Sequence, residues 1–203
     1  MKSQHQVILS IGTNQGDRLE DVETCVQLIH QEIGTVVKVS KVYETPSWGF
    51  DSEAFYNCAL VLHTFHSSHF ILEQALRIEK KMGRVRNSDL GYQSRIIDID
   101  LIAFDAEIID TESLQIPHPL LQNRKFVLLP MQDLNLDWVH PVLNKSIPEL
   151  IAITPDESVC EVVQNLKAPL ENIPLERFNY VAFEGNIGAG KTTLTTKIAE
   201  DFN

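Results

Sequence analysis

Asp98 and Asp100 stand one residue apart in the run RIIDIDLIAF, residues 95–104. Side chains of an extended strand alternate between faces, so both carboxylates project to one side while Ile97, Ile99 and Leu101 project to the other. At about 3.3 Å per residue their Cα atoms lie roughly 6.6 Å apart, close enough for both to reach one pair of hard cations. Magnesium suits such a pair, because it takes few carboxylate oxygens and completes its shell with water and substrate phosphates. Taken alone, the pair also fits an acidic strand face in solvent.

The neighbouring residues favour the metal. Arg84 and Arg86 follow a helical stretch in GRVRN, and Arg95 precedes Asp98 by three residues. A guanidinium fork grips phosphate oxygens at two points while cations neutralise the remaining charge, so arginines beside paired carboxylates suit a polyphosphate. An R-x-R pair is also what a helix C-terminus attracts through its dipole. Glu79 falls on the stripe of Leu72, Ala75 and Leu76, where a charge needs a partner. It either holds a ligand or braces an arginine, with pairing to exposed lysines as the surface alternative. His118 is fixed between Pro117 and Pro119, with Asn123, Arg124 and Phe126 close behind, although a lone histidine is more often structural. His63, His66 and His69 lack a carboxylate or cysteine beside them and read as surface histidines rather than a zinc site.

The elements that must position these groups are legible in the periodicity. Residues 7–11 form a short apolar run, and Asp17 with Glu20 has the spacing of a capping box, so a helix begins there. Val22, Val26, Ile29 and Ile33 make one face of it, and Gly34 stands at the place of a C-terminal cap. Residues 36–45 and 55–64 are β-type runs, the first ending at Pro46. Ser67 or Ser68 caps a second helix closed by Gly83, and residues 95–104 form the next strand. The order β-α-β-β-α-β predicts an α+β, ferredoxin-like antiparallel sheet with both helices on one face and the other face free for ligands. Residues 111–166 carry several prolines and predict an irregular flank of short helices and strands.

The bulk numbers exclude several classes. With 203 residues, a formal charge of -11 and a pI near 5.0, the chain lacks the net basic surface of a nucleic-acid binder. No apolar run approaches the length needed to span a bilayer, and the start MKSQHQVILSIG is too short in its apolar part for a signal peptide. Cys25, Cys58 and Cys160 lie far apart and predict isolated thiols in a reducing, cytoplasmic setting.

The segments SIGTNQGD, VYETPSWG, FYNCALVL, RIEKKMGRVR, SRIIDIDLI and IPHPLLQNRKFVLLP together resemble the 6-hydroxymethyl-7,8-dihydropterin pyrophosphokinases, over roughly residues 5–150. The resemblance implies a ferredoxin-like fold, and two Mg2+ ions on Asp98 and Asp100 bridging the phosphates of ATP. The hydroxymethyl oxygen of a reduced pterin would attack the β-phosphorus, and AMP would leave. Arg84, Arg86, Arg95, His118 and Arg124 would contact or close over the phosphates, with Glu79 on the nucleotide side. Thr45, Pro46, Trp48, Phe55, Asn57 and Phe126 would receive the pterin. The stretch NSDLGYQSR is one residue longer than the family pattern and lacks its tryptophan, with Leu90 and Tyr92 in that loop instead. Leu76, Ser113 and Gln115 also replace residues that the family places near the nucleotide.

The C-terminus carries a different motif. Gly185, Gly190, Lys191 and Thr192 satisfy G-x-x-x-x-G-K-[ST] between an apolar run and a helix-like stretch, as in a phosphate-binding loop. The wording EGNIGAGKTTL resembles the opening of a deoxynucleoside kinase, of which one strand and one helix are too little to build a core. The expected organisation is therefore a pterin diphosphokinase domain over 1–166, a linker over 167–178, and an inactive P-loop fragment over 179–203 whose remaining kinase domain would be fused in a longer protein. The alternative function is an ATP-binding regulatory module attached to such a kinase.

Overall fold

The structure, a computed structural model, describes residues 3–47, 52–84 and 94–172. Strand β1 (His5–Thr13) leads through a polar loop into helix α1 (Arg18–Glu32). Asp17 caps that helix, its carboxylate accepting the Glu20 N–H at 3.2 Å. Val22, Cys25, Val26 and Ile29 form the buried stripe. Gly34 closes the end by donating to the Ile29 carbonyl, and a Cβ there would meet the His63 carbonyl oxygen at 2.6 Å.

The single strand expected over residues 36–45 is two, β2 (Thr35–Val39) and β3 (Lys41–Thr45). Ser40 breaks it: its N–H donates to the Ala59 carbonyl while its hydroxyl accepts the Ala59 N–H, so a side chain replaces one rung of the ladder. Then come β4 (Phe55–Thr64), α2 (Ser68–Lys81) with Ser67 as its cap, and β5 (Asp98–Phe104). Gly83 ends α2 with φ +95°, a conformation that side chains disfavour. The flank adds β6 (Ile109–Asp110), β7 (Gln115–Ile116), α3 (Lys125–Asp133), α4 (Ile147–Ile153) and β8 (Glu161–Asn165).

The main sheet runs β5-β1-β4-β3-β8, with β2 also on β4, and all of these pairs are antiparallel. Val7, Leu9, Ile11, Cys58, Leu60 and Leu62 pack with α1 and α2 on one face. Both crossover helices thus share one face, and the expectation corrected here is that the opposite face is free. Ile8, Ala59, Val61 and Ile102 point the other way and pack under α3 and α4, through Val127, Leu128, Met131 and Leu150. The apolar run of β4 explains this, since a strand hydrophobic on both faces has to be covered on both.

Only part of that second face is therefore open. Beyond the area under α3, the register sets Ser10 against Asp100, and Gly12 against both Asp98 and Asn57. Residues directly opposite in an antiparallel pair share a face, so five small or polar positions form one open floor.

Cys25 and Cys58 are buried free thiols, both pushed up by burial, and Cys160 is partly exposed. His63 is half-buried while His66 and His69 are exposed. The stretch expected as a linker begins inside the fold, since Ala168 is buried and Pro169–Asn172 makes a 3-10 turn. Residues 173–203, with Gly185, Gly190, Lys191 and Thr192, lie outside the described residues. Among the described residues no helix is long and apolar enough to cross a membrane.

Candidate active site

A cavity of about 270 Å3 opens over that floor, lined by Ser10, Gly12, Thr45, Pro46, Phe55 and Asn57 on one side and Arg84, Arg95, Asp98, Asp100, His118, Arg124 and Phe126 on the other. Eleven of these thirteen residues are ones the sequence singled out. Ser10 and Gly12 are additions, and their signal was a small, polar i,i+2 pair inside the apolar run of β1. Trp48 and Arg86 lie outside the described residues.

The carboxylates and guanidiniums form one network. Asp98 accepts from Arg84 through one oxygen and from Arg95 through the other. Arg84 also donates to Glu79 at 2.6 Å, and Arg124 stands 3.9 Å from Asp100. Three guanidiniums thus meet three carboxylates. Glu79, expected at the nucleotide, is not among the residues lining the cavity. It is 1% exposed behind β5, where its Oε1 accepts the Ile99 N–H at 2.9 Å together with Arg84. Burial of a charge with a backbone donor and a guanidinium as partners makes it a brace for β5 and Arg84.

Desolvation first, and the neighbouring Asp98 second, push the Asp100 carboxyl up to about 7, with Arg124 and Arg95 pulling the other way. Burial, reinforced by Arg124, holds His118 down at about 4, so its ring is neutral near pH 7. Its Nδ1 accepts the Leu120 N–H at 3.2 Å, which leaves the proton on Nε2 as a donor. The His118 N–H in turn bonds the Ile102 carbonyl, tying this segment to β5. Arg124 is the residue before α3, and its guanidinium lies 5.7 Å from the Phe126 ring centre.

At the other end Asn57 donates to the Thr45 hydroxyl at 2.8 Å. Phe55 pairs with Thr45 across β3 and β4, and Phe126 both lines the cavity and packs against the core under α3. The cavity has an aromatic, amide-bearing end and a charged end. Two hard-oxygen carboxylates side by side, with no thiolate among the lining residues, fit magnesium rather than a softer metal.

The family model for 7,8-dihydro-6-hydroxymethylpterin-pyrophosphokinase matches residues 8–136. The chain belongs to this family. A pyrophosphokinase of Aquifex aeolicus, named for 2-amino-4-hydroxy-6-hydroxymethyldihydropteridine, is 32% identical over 144 residues, 70% of this chain and 88% of that protein. Its Bacillus subtilis counterpart is 37% identical over 128 residues, 62% of this chain and 75% of that protein. The folic acid synthesis protein FOL1 of Dictyostelium discoideum is 36% identical over 139 residues, covering 68% of this chain and 21% of the relative. This chain thus spans about a fifth of that longer protein. Among solved structures, wild-type Plasmodium falciparum HPPK-DHPS with pteroate aligns at a TM-score of 0.63 and 17% identity, over 75% of this chain and 44% of that one. That likeness shows a shared fold.

Proposed function

We propose that this chain transfers diphosphate from ATP to the hydroxymethyl group of 6-hydroxymethyl-7,8-dihydropterin, releasing AMP, as a step of folate biosynthesis. The observation that carries the reading is the single cavity with Asp98, Asp100, Arg84, Arg95, Arg124 and His118 at one end and Thr45, Phe55, Asn57 and Phe126 at the other. Family membership supports it, and the antiparallel sheet with its two crossover helices supports the ferredoxin-like plan.

Asp98 and Asp100 would hold two Mg2+ ions, which when bound supply positive charge against the phosphate oxygens. Arg84 and Arg95 both donate to Asp98, and phosphate oxygens are an alternative acceptor for each. Cations and polyphosphate bring offsetting charges, so the network stays balanced when the arginines change partner. Neutral His118 donates from Nε2 without adding charge. Asn57 presents both a donor and an acceptor to the edge of a pterin, and Phe55 and Phe126 present ring faces to it. Positioning and charge neutralisation do the work here, with no covalent role for a side chain.

The P-loop motif at Gly185, Gly190, Lys191 and Thr192 is the start of a fused deoxynucleoside-kinase-like domain in this reading, and its support is the sequence motif alone. The test is product analysis with ATP, magnesium and the hydroxymethyl-dihydropterin. AMP is expected only when all three are present, and Asp98→Ala or Asp100→Ala should lower turnover by orders of magnitude in a folded protein. Nucleotide binding with no pterin requirement and no AMP would point instead to an ATP-binding regulatory module.

A further inference from the structure

We propose that Asn14, which is not among the residues lining the cavity, is a positioning residue that sets Arg95 by tying three loops together at the open end of the sheet. Asn14 follows β1 and is 4% exposed. Its Oδ1 accepts the Arg95 N–H at 2.7 Å, and its own N–H donates to the Arg95 carbonyl at 3.1 Å. Its Nδ2 faces Ser94 Oγ at 3.1 Å, Ser52 Oγ at 3.1 Å and the Glu53 carbonyl at 3.3 Å, so its two N–H groups serve three acceptors with one of them shared. One side chain therefore joins the loop after β1, the loop before β4 and the segment before β5.

The amide orientation is fixed by its partners, because a backbone N–H only donates and the Glu53 carbonyl only accepts. A serine or threonine hydroxyl would have to donate and accept through one atom, whereas the carboxamide does so through two; aspartate accepts but does not donate, and alanine does neither. These bonds also explain why β5 begins at Asp98 rather than at Arg95, whose main chain is already paired to Asn14. Arg95 reaches Asp98 three residues on. With its main chain held at two points, Arg95 can exchange Asp98 for phosphate by side-chain rotation alone. A misplaced pivot would cost turnover more than affinity, since the correct geometry matters most in the transition state.

This inference rests on the reading of Arg95 as a phosphate-contacting group, and a double-mutant cycle separates the two. Asn14→Ala should lower kcat about tenfold or more while moving the pterin KM less than about twofold, with faster exchange of the Arg95 amide hydrogen. Asn14→Asp retains an acceptor for the Arg95 N–H, so exchange protection should recover and kcat should fall less. In an Arg95→Ala background, adding Asn14→Ala should change kcat less than about twofold. Full additivity of the two losses, or unchanged kcat in Asn14→Ala, overturns the proposal while leaving the role of Arg95 standing. Normal turnover of Arg95→Ala alone removes the underlying reading, and the proposal falls with it for that separate reason. If Asn14→Ala does not fold, Asn14→Asp carries the test through its own two readouts: kcat should follow Arg95 amide protection, and lost protection with unchanged kcat, or full protection with kcat lowered about tenfold, overturns the proposal.

Discussion

Gly12 and Asn57 face each other across β1 and β4, and a Cβ added at Gly12 would lie 2.9 Å from the Asn57 side-chain oxygen. Asn57 is 4% exposed and held by Thr45, so its carboxamide has little room to retreat. Gly12→Ala should therefore tilt the amide away from the position in which it meets a pterin edge. The expected outcome is a pterin KM raised about tenfold, the loss of roughly one good hydrogen bond, with the ATP KM little changed. Steady-state kinetics with each substrate varied in turn measures this, and an unaltered pterin KM would remove Asn57 from ring recognition.

Much of this site was legible because strand periodicity and residue chemistry agree. Asp98 and Asp100 share a face at a spacing fixed by the pleat, and the capping residues Asp17 and Ser67 mark both helix starts. The second covered face was harder to read. The run of β4 signals burial on both sides, but α3 starts at a break that carries no side-chain cap of its own. Glu79 was recognised as needing a partner, yet only the packing of α2 against β5 shows that one partner is the Ile99 N–H. Asn14 gave no signal, because its partners lie 38, 39 and 80 or more residues away in sequence. Long-range side-chain bonds of that kind leave no periodic trace.

Glu79 offers a test of its bracing role. Glu79→Ala leaves the buried Ile99 N–H without this acceptor and deprives Arg84 of a buried partner. Losing one member of such a network should destabilise the fold by about 3 kcal/mol and reduce turnover as Arg84 loses its support. Glu79→Gln keeps the acceptor for Ile99 and should recover most of the stability but less of the turnover. Chemical denaturation alongside kinetics separates the two contributions.

Metal-free protein should show a pH dependence centred on Asp100. The folded state holds this carboxyl protonated up to about 7, whereas an ordinary aspartate releases its proton near 3.8. The folded state therefore binds the extra proton across that window, and stability falls as pH rises through it. Asp100→Asn removes the slope. In the presence of a chelator the variant should melt higher than the parent at pH 8, and the gap should close near pH 4. Thermal melts at the two pH values check the sign, and saturating magnesium should restore the parent at pH 8 but not the variant.

His118 gives the opposite slope at the acid end. Burial and the nearby Arg124 hold its ring neutral down to about 4, while an unperturbed histidine takes up a proton near 6.5. Below 6.5 the unfolded chain binds a proton that the folded chain refuses, so stability falls as pH drops from 6.5 towards 4. His118→Gln removes that contribution while keeping an amide N–H that can donate into the cavity. Its stability should decline less steeply over this window, with a residual slope from His140, which burial also holds low. Turnover tests the neutral ring independently: above pH 6 the profiles of parent and variant should run parallel, because His118 carries no charge to lose there. A turnover inflection near 6.5 that disappears in His118→Gln would mean that the ring is charged when it meets the phosphates, and that its part in the site is an ion pair rather than a neutral hydrogen bond.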